Sequence, residues 1–65
     1  MIEKEREIHY DIYARADANG GKLAADDYAI VFTAHERFGY GVYSPRVFQR
    51  DGKCYVRYYT DETCD

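Results

Sequence analysis

Asp51-Gly52 is the feature that most narrows the folds open to this chain. An Asp-Gly pair supplies both positive-φ positions of a two-residue hairpin turn at little steric cost. Runs rich in Val, Phe and Tyr stand on either side of it, so strands are expected near residues 42–50 and 53–60. If the pair is the whole loop, the opposed residues are Arg50/Lys53, Gln49/Cys54, Phe48/Tyr55, Val47/Val56, Arg46/Arg57 and Pro45/Tyr58. The two-residue period of a strand then puts Val47, Cys54, Val56 and Tyr58 on one face, which we place against a helix. Arg46, Phe48, Tyr55, Arg57 and Tyr59 fall on the other face, toward solvent. Pro45 has no N–H to give a ladder, which assigns its strand to a sheet edge or a frayed end. Arg46 opposite Arg57 repels, and Glu7 or Asp11 on a neighbouring strand is the expected relief.

Residues 7–15 alternate, with Ile8, Tyr10, Ile12 and Ala14 on one side and Glu7, His9, Asp11, Tyr13 and Arg15 on the other. That period predicts a first strand, buried on one face. Ala16 to Gly21 ends it, since Asn19-Gly20-Gly21 tolerates positive φ. Residues 25–38 predict a helix. Asp26 and Asp27 suit the positive end of its dipole, and Arg37 suits the last turn. Ala24 is the N-cap, a weak one, with Leu23 and Tyr28 spaced as a hydrophobic staple. Gly39 follows as the left-handed residue past the end. Tyr28, Val31, Phe32, His35 and Phe38 share its apolar face. The β-branched run 29–33 supports a competing strand, but the end signals favour the helix. The expected fold class is α+β: a β-α-β-β chain, with a three-stranded antiparallel sheet and one helix packed on one face. Residues 1–65 form a single domain, closing on a short acidic tail at 61–65.

A chain of 65 residues hides only ~60% of the surface it exposes when unfolded, so its core is thin. Eight Tyr and three Phe, with no Trp, compensate for that. They exceed what one small sheet can cover, so an exposed aromatic patch is expected. Cys54 and Cys64 make no disulfide framework, and the charged start Met1 to Glu7 has no signal-peptide character. Both cysteines are read as free thiols in a reducing, cytoplasmic setting, with a Cys54–Cys64 bridge left open for an oxidised sample. No apolar run is long enough to span a membrane. His9 and His35 are the only histidines, and with Cys54 and Cys64 they match no common zinc spacing. Gly20-Gly21-Lys22 lacks the rest of a phosphate loop and reads as a turn. No catalytic residue, metal site or cofactor is expected, and the chain is read as not an enzyme.

Nine basic residues stand against twelve acidic ones, a net charge of −3. Glu3, Glu5, Glu7 and Asp11 surround the first strand, Asp26 and Asp27 open the helix, and Asp61 and Glu62 lie near the end. Their default role is solvation. The sharper reading is a negative surface that occupies a basic, nucleic-acid-binding groove on another protein, with Tyr55 and Tyr59 adding contact area. Shortness, acidity, Tyr-rich strands, one helix from Asp26-Asp27-Tyr28 to Phe38-Gly39, and the Asp51-Gly52 hairpin together make a recognisable set. In these respects the chain resembles the small phage-encoded anti-CRISPR proteins that act on type I systems. That resemblance implies a stoichiometric inhibitor of the crRNA-guided surveillance complex (Cascade), a ribonucleoprotein partner, with DNA mimicry as one route to blocking target DNA. It implies no direct nucleic-acid or membrane contact, and a monomer or weak homodimer. The alternative is a generic protein–protein interaction module or a homodimeric small phage or bacterial protein. A third class, stacking of single strands on the aromatic residues between Arg46, Arg50 and Arg57, is disfavoured by the net acidity.

Overall fold

The structure, a computed structural model, describes residues 1–61. Its organising element is the hairpin. Asp51 (φ 54) and Gly52 (φ 77) both take left-handed backbone, the geometry that matches the twist of the strands they join. Strand β2 (Tyr43–Arg50) and strand β3 (Lys53–Thr60) pair in the expected register from Arg50/Lys53 through Arg46/Arg57. The sixth expected pair, Pro45/Tyr58, does not form. The register shifts, so that Tyr43 faces Tyr59. Two residues of β2, Ser44 and Pro45, therefore bulge out opposite one of β3. Pro45 has no N–H to hold the ladder there, and Ser44 turns to φ 50.

The first strand, β1, is Ile2–Glu7 and not residues 7–15. It lies antiparallel to the free side of β3, pairing Glu5 with Arg57 and Glu7 with Tyr55. The sheet order is β1-β3-β2, which leaves Pro45 on an edge strand as expected. Residues 10–18 form helix α1 (Tyr10–Ala18) instead of a strand. The apolar residues there fit two periods. Ile8, Ile12 and Ala16, four apart, are the ones buried, whereas Tyr10 is exposed. His9 caps the helix, its Nδ1 accepting from the Asp11 amide at 3.2 Å. At the far end the amides of Gly20 and Gly21 bond back to the carbonyls of Asp17 and Ala16, at 3.2 and 2.7 Å. This is the glycine-closed C-terminus that positive φ permits.

The expected helix 25–38 is two pieces. Helix α2 is Ala25–Val31, with Ala24 at its N-cap and no side-chain cap bond. Phe32 is extended (φ −106, ψ 140) and buried, so the chain breaks inside the β-branched run. A new helical turn then starts on a reciprocal cap. The Glu36 amide donates to Thr33 Oγ1 at 3.2 Å, and the Thr33 amide donates to Glu36 Oε1 at 3.4 Å. That turn widens into a π-helical segment, Glu36–Tyr40. Its left-handed exit is Gly41 (φ 70), not Gly39. The break rotates the later residues, so Phe38 is 80% exposed and His35 is on the surface, off the expected buried face.

The fold is thus mixed α+β, with two short helices and a π turn where one helix was expected. The core joins Ile8, Ile12, Val31 and Phe32 to Cys54, Val56 and Tyr58 of β3, with Val47 packed at its edge. This is the sheet face assigned to it from the hairpin pairing. Phe32 meets Tyr58 edge-on at 4.8 Å, and Tyr28 leans on Phe32 at 4.7 Å. Aromatic pairs of this kind are dense packing for so small an interior.

Candidate functional site

Two-residue alternation puts Glu3, Glu5 and Glu7 of β1 on the face away from the helices. Lys53, Tyr55, Arg57 and Tyr59 of β3 and Arg46, Phe48 and Arg50 of β2 join them there. Glu5 sits opposite Arg57. Its Oε1 accepts from Arg57 Nε at 3.2 Å and Nη2 at 3.0 Å, and its Oε2 accepts from Arg50 Nη2 at 3.0 Å. Hydrogen bonds from Arg57 and then Arg50 hold the Glu5 carboxyl below the usual carboxylate range. Glu3 lies 3.7 Å from Arg57 Nε and accepts from the Tyr59 hydroxyl at 3.1 Å. The Arg46–Arg57 repulsion is therefore relieved by Glu5 and Glu3, not by Glu7 or Asp11.

The same arginines clamp the rings. Phe48 and Tyr55, a cross-strand pair, stack at 5.6 Å and 24°. The Arg50 guanidinium lies 4.8 Å from the Tyr55 ring and 5.6 Å from Phe48. Arg57 lies 4.9 Å from Phe48. Carboxylate, guanidinium and ring thus alternate across three strands, each restraining the next.

The remaining candidates separate. Asp27 turns inward and is buried, taking Arg15 Nη2 at 2.6 Å and Nε at 3.3 Å in a two-toothed bridge from α1 to α2. Its hydrogen bond to Arg15 pulls the Asp27 carboxyl down, and the same bond pushes Arg15 up. Asp26, its neighbour, is exposed. Asp11 is exposed beside His9, 3.5 Å from Nδ1. Asp61 accepts from the Tyr43 hydroxyl at 3.3 Å. Glu62 lies outside the described residues, as does Cys64 and hence any Cys54–Cys64 pairing. Cys54 itself is a buried thiol. These carboxylates are therefore dispersed: Glu3, Glu5 and Glu7 on the open sheet face, Asp27 in the α1–α2 joint, Asp61 beside Tyr43, and Asp11 and Asp26 singly exposed.

One carboxylate escaped the sequence reading. Glu36 is buried, and both its oxygens are occupied. Oε1 accepts from Arg6 Nη2 at 2.5 Å and from Thr33 Oγ1 at 3.2 Å, while Oε2 accepts from the Tyr58 hydroxyl at 2.5 Å. Arg6 also donates to the Val31 carbonyl. Burial pushes the Glu36 carboxyl up, but the bonds from Tyr58, Arg6 and Thr33 together bring it below its ordinary value. The signal available in the sequence was Thr33-Ala34-His35-Glu36, the spacing of a capping box. With both oxygens engaged, this carboxylate joins β1, β3 and the π turn.

No family model matches this chain, and neither the curated proteins nor the solved structures compared with it give a match.

Proposed function

We propose that this protein acts by binding, as a stoichiometric inhibitor with no reaction of its own, and that its partner is a type I CRISPR surveillance complex whose target-DNA binding it blocks. The observation that carries the binding half is the open sheet face, where Phe48 and Tyr55 stack between Arg50 and Arg57 and the arginines are pinned by Glu3 and Glu5. Side chains already held in place lose little freedom on docking. Aromatic and arginine side chains are also the ones that dominate protein contacts. The partner half rests on the resemblance in size, acidity and strand composition. DNA mimicry within this proposal falls to Glu7, Asp11 and Asp26, which are exposed with no guanidinium bonded to them, because arginines neutralise Glu3, Glu5 and Asp27.

The test is a titration of the protein into a purified type I complex with labelled target DNA. DNA binding falls away near equimolar protein. Combined Phe48→Ala and Tyr55→Ala substitutions restore it, and Glu7→Gln with Asp11→Asn and Asp26→Asn makes inhibition weaker and less salt-sensitive. DNA binding that is unchanged at excess protein rejects this partner.

A further inference from the structure

Two depressions meet at the β2 edge. One, on the open sheet face, is lined by Ser44, Arg46, Phe48, Arg57 and Tyr59. The other, toward the helices, is lined by Lys22, Leu23, Tyr28, Ser44, Pro45 and Arg46. They share Ser44 and Arg46, and so form one track that rounds the edge strand. Neither lining contains a carboxylate.

The arginines give this track its meaning. Arg6 is bound to Glu36, Arg15 to Asp27, and Arg50 and Arg57 to Glu5. Arg37 lies 5.2 Å over the Phe38 ring. Among the described residues, Arg46 alone of the arginines has neither a carboxylate nor a ring. Lys22 in the same track has no carboxylate partner among them either. A chain with net charge −3 thus keeps in this track two cations that no carboxylate bonds, with Glu3 and Glu5 held beyond Tyr59 and Arg57 at one end. Aromatic walls stand at both ends, Tyr28 on one side and Phe48 with Tyr59 on the other.

The backbone supports the same reading. The bulge at Ser44–Pro45 sits in the middle of the track, and Ser44 is in left-handed backbone, which a non-glycine residue adopts at a cost. Bulges and strained residues concentrate where a side chain has to be re-aimed toward a ligand. Gly21 leaves room beside the guanidinium, since a Cβ there would stand 4.0 Å from Arg46 Nη1.

We infer that single-stranded nucleic acid binds along this track, with its phosphates on Lys22 and Arg46 and its bases against Tyr28 and Tyr59. Cations alone would fit any polyanion. Flat hydrophobic walls flanking them fit one that also carries rings, since bases stack on aromatic side chains without regard to sequence. An acidic peptide satisfies the cations and leaves the rings idle. This inference rests on reading the chain as a binding protein, and not on the identity of its protein partner.

Fluorescence anisotropy with labelled twelve-residue oligo-dT and oligo-U tests it on the intact chain. Binding is expected at 50 mM salt. Two phosphate contacts give a log–log salt slope of about −1.4, so affinity falls about sevenfold between 50 and 200 mM. Arg46→Glu or Lys22→Glu reduces affinity by about tenfold or more, whereas Arg46→Lys retains most of it; melting curves check that each variant is folded. Tyr59→Ala weakens binding while the salt slope holds. No anisotropy change at 50 mM salt, or charge reversals without effect, overturns the proposal. Equally tight binding of poly-glutamate overturns it in favour of an acidic protein segment. Oligonucleotide binding that persists while a surveillance complex is unaffected would reject that partner and leave the track standing.

Discussion

Replacing Glu36 by Ala is the most demanding test of how this fold holds together. The carboxylate accepts from Arg6, Thr33 and Tyr58, so its removal takes the ion-pair partner from the Arg6 guanidinium and an acceptor from the buried Tyr58 hydroxyl at once. Breaking a buried ion pair from one side costs about 3–5 kcal/mol. The Arg6 side chain is 35% exposed and recovers some hydration, which favours the lower end, about 3 kcal/mol. At roughly 0.05–0.15 kcal/mol per residue a chain of this size has only about 3–10 kcal/mol in total. The variant should therefore melt about 12–24 °C lower, or be unfolded at room temperature. Thermal melts followed by far-UV circular dichroism give the answer. Acid melts supply a second reading. The Glu36 carboxyl lies below its ordinary value of 4.5 when folded, so its stabilisation is complete above that pH and is lost as pH falls through the folded-state value. Glu36→Gln should flatten the fall in melting temperature below pH 4.5 that the parent shows. Replacing the whole set together (Arg6→Met, Glu36→Leu, Tyr58→Phe) should recover much of the loss, because no buried charge is then left alone. A Glu36→Ala protein melting within about 3 °C of the parent would refute the reasoning.

Two further substitutions probe other joints. Asp27→Asn removes the charge that ties Arg15 of α1 to α2, and should lower the melting temperature and raise amide exchange in α2 by more than Asp26→Asn in the same turn, measured by hydrogen exchange. Gly41→Ala forces a side chain into left-handed backbone and a Cβ to 2.8 Å from the Tyr43 hydroxyl, so a loss of about 1–2 kcal/mol is expected in urea melts, and a smaller one for Gly39→Ala, whose Cβ meets only the exposed His35 ring at 3.1 Å with no positive φ to strain it.

What could be read in advance was local. Asp51-Gly52 specifies its turn through its own backbone preferences, and five hairpin pairs and the buried face follow from it. The failures are places where two local patterns compete and a distant partner decides. Ile8, Tyr10, Ile12 and Ala14 satisfy a strand, while Ile8, Ile12 and Ala16 satisfy a helix. The helix prevails because the side of β3 such a strand would take is filled by Ile2–Glu7. That segment, nearly all charge, has no apolar alternation to mark it as a strand; it pairs along β3, where Glu3 and Glu5 meet Arg57 and Arg50. Asp27 looked like its neighbour Asp26, and only the position of Arg15 separates a buried bridge from a surface carboxylate. Of the expected contact residues, Tyr55 and Tyr59 lie where the hairpin pairing puts them, with Glu3 and Glu5 beside them.

Seating β3 between β2 and β1 has a consequence for how the molecule comes into being. Tyr59 reaches back to Glu3 across a separation of 56 positions, so β1, made well before β3, has nothing to pair with until β3 is made. Closing so long a loop carries an entropic penalty that local contacts must offset beforehand. Assembly therefore begins with the late hairpin, and β1 zips on as its closing event. Until then one whole border of β3 stays open, ready to accept the equivalent strand of a sister chain.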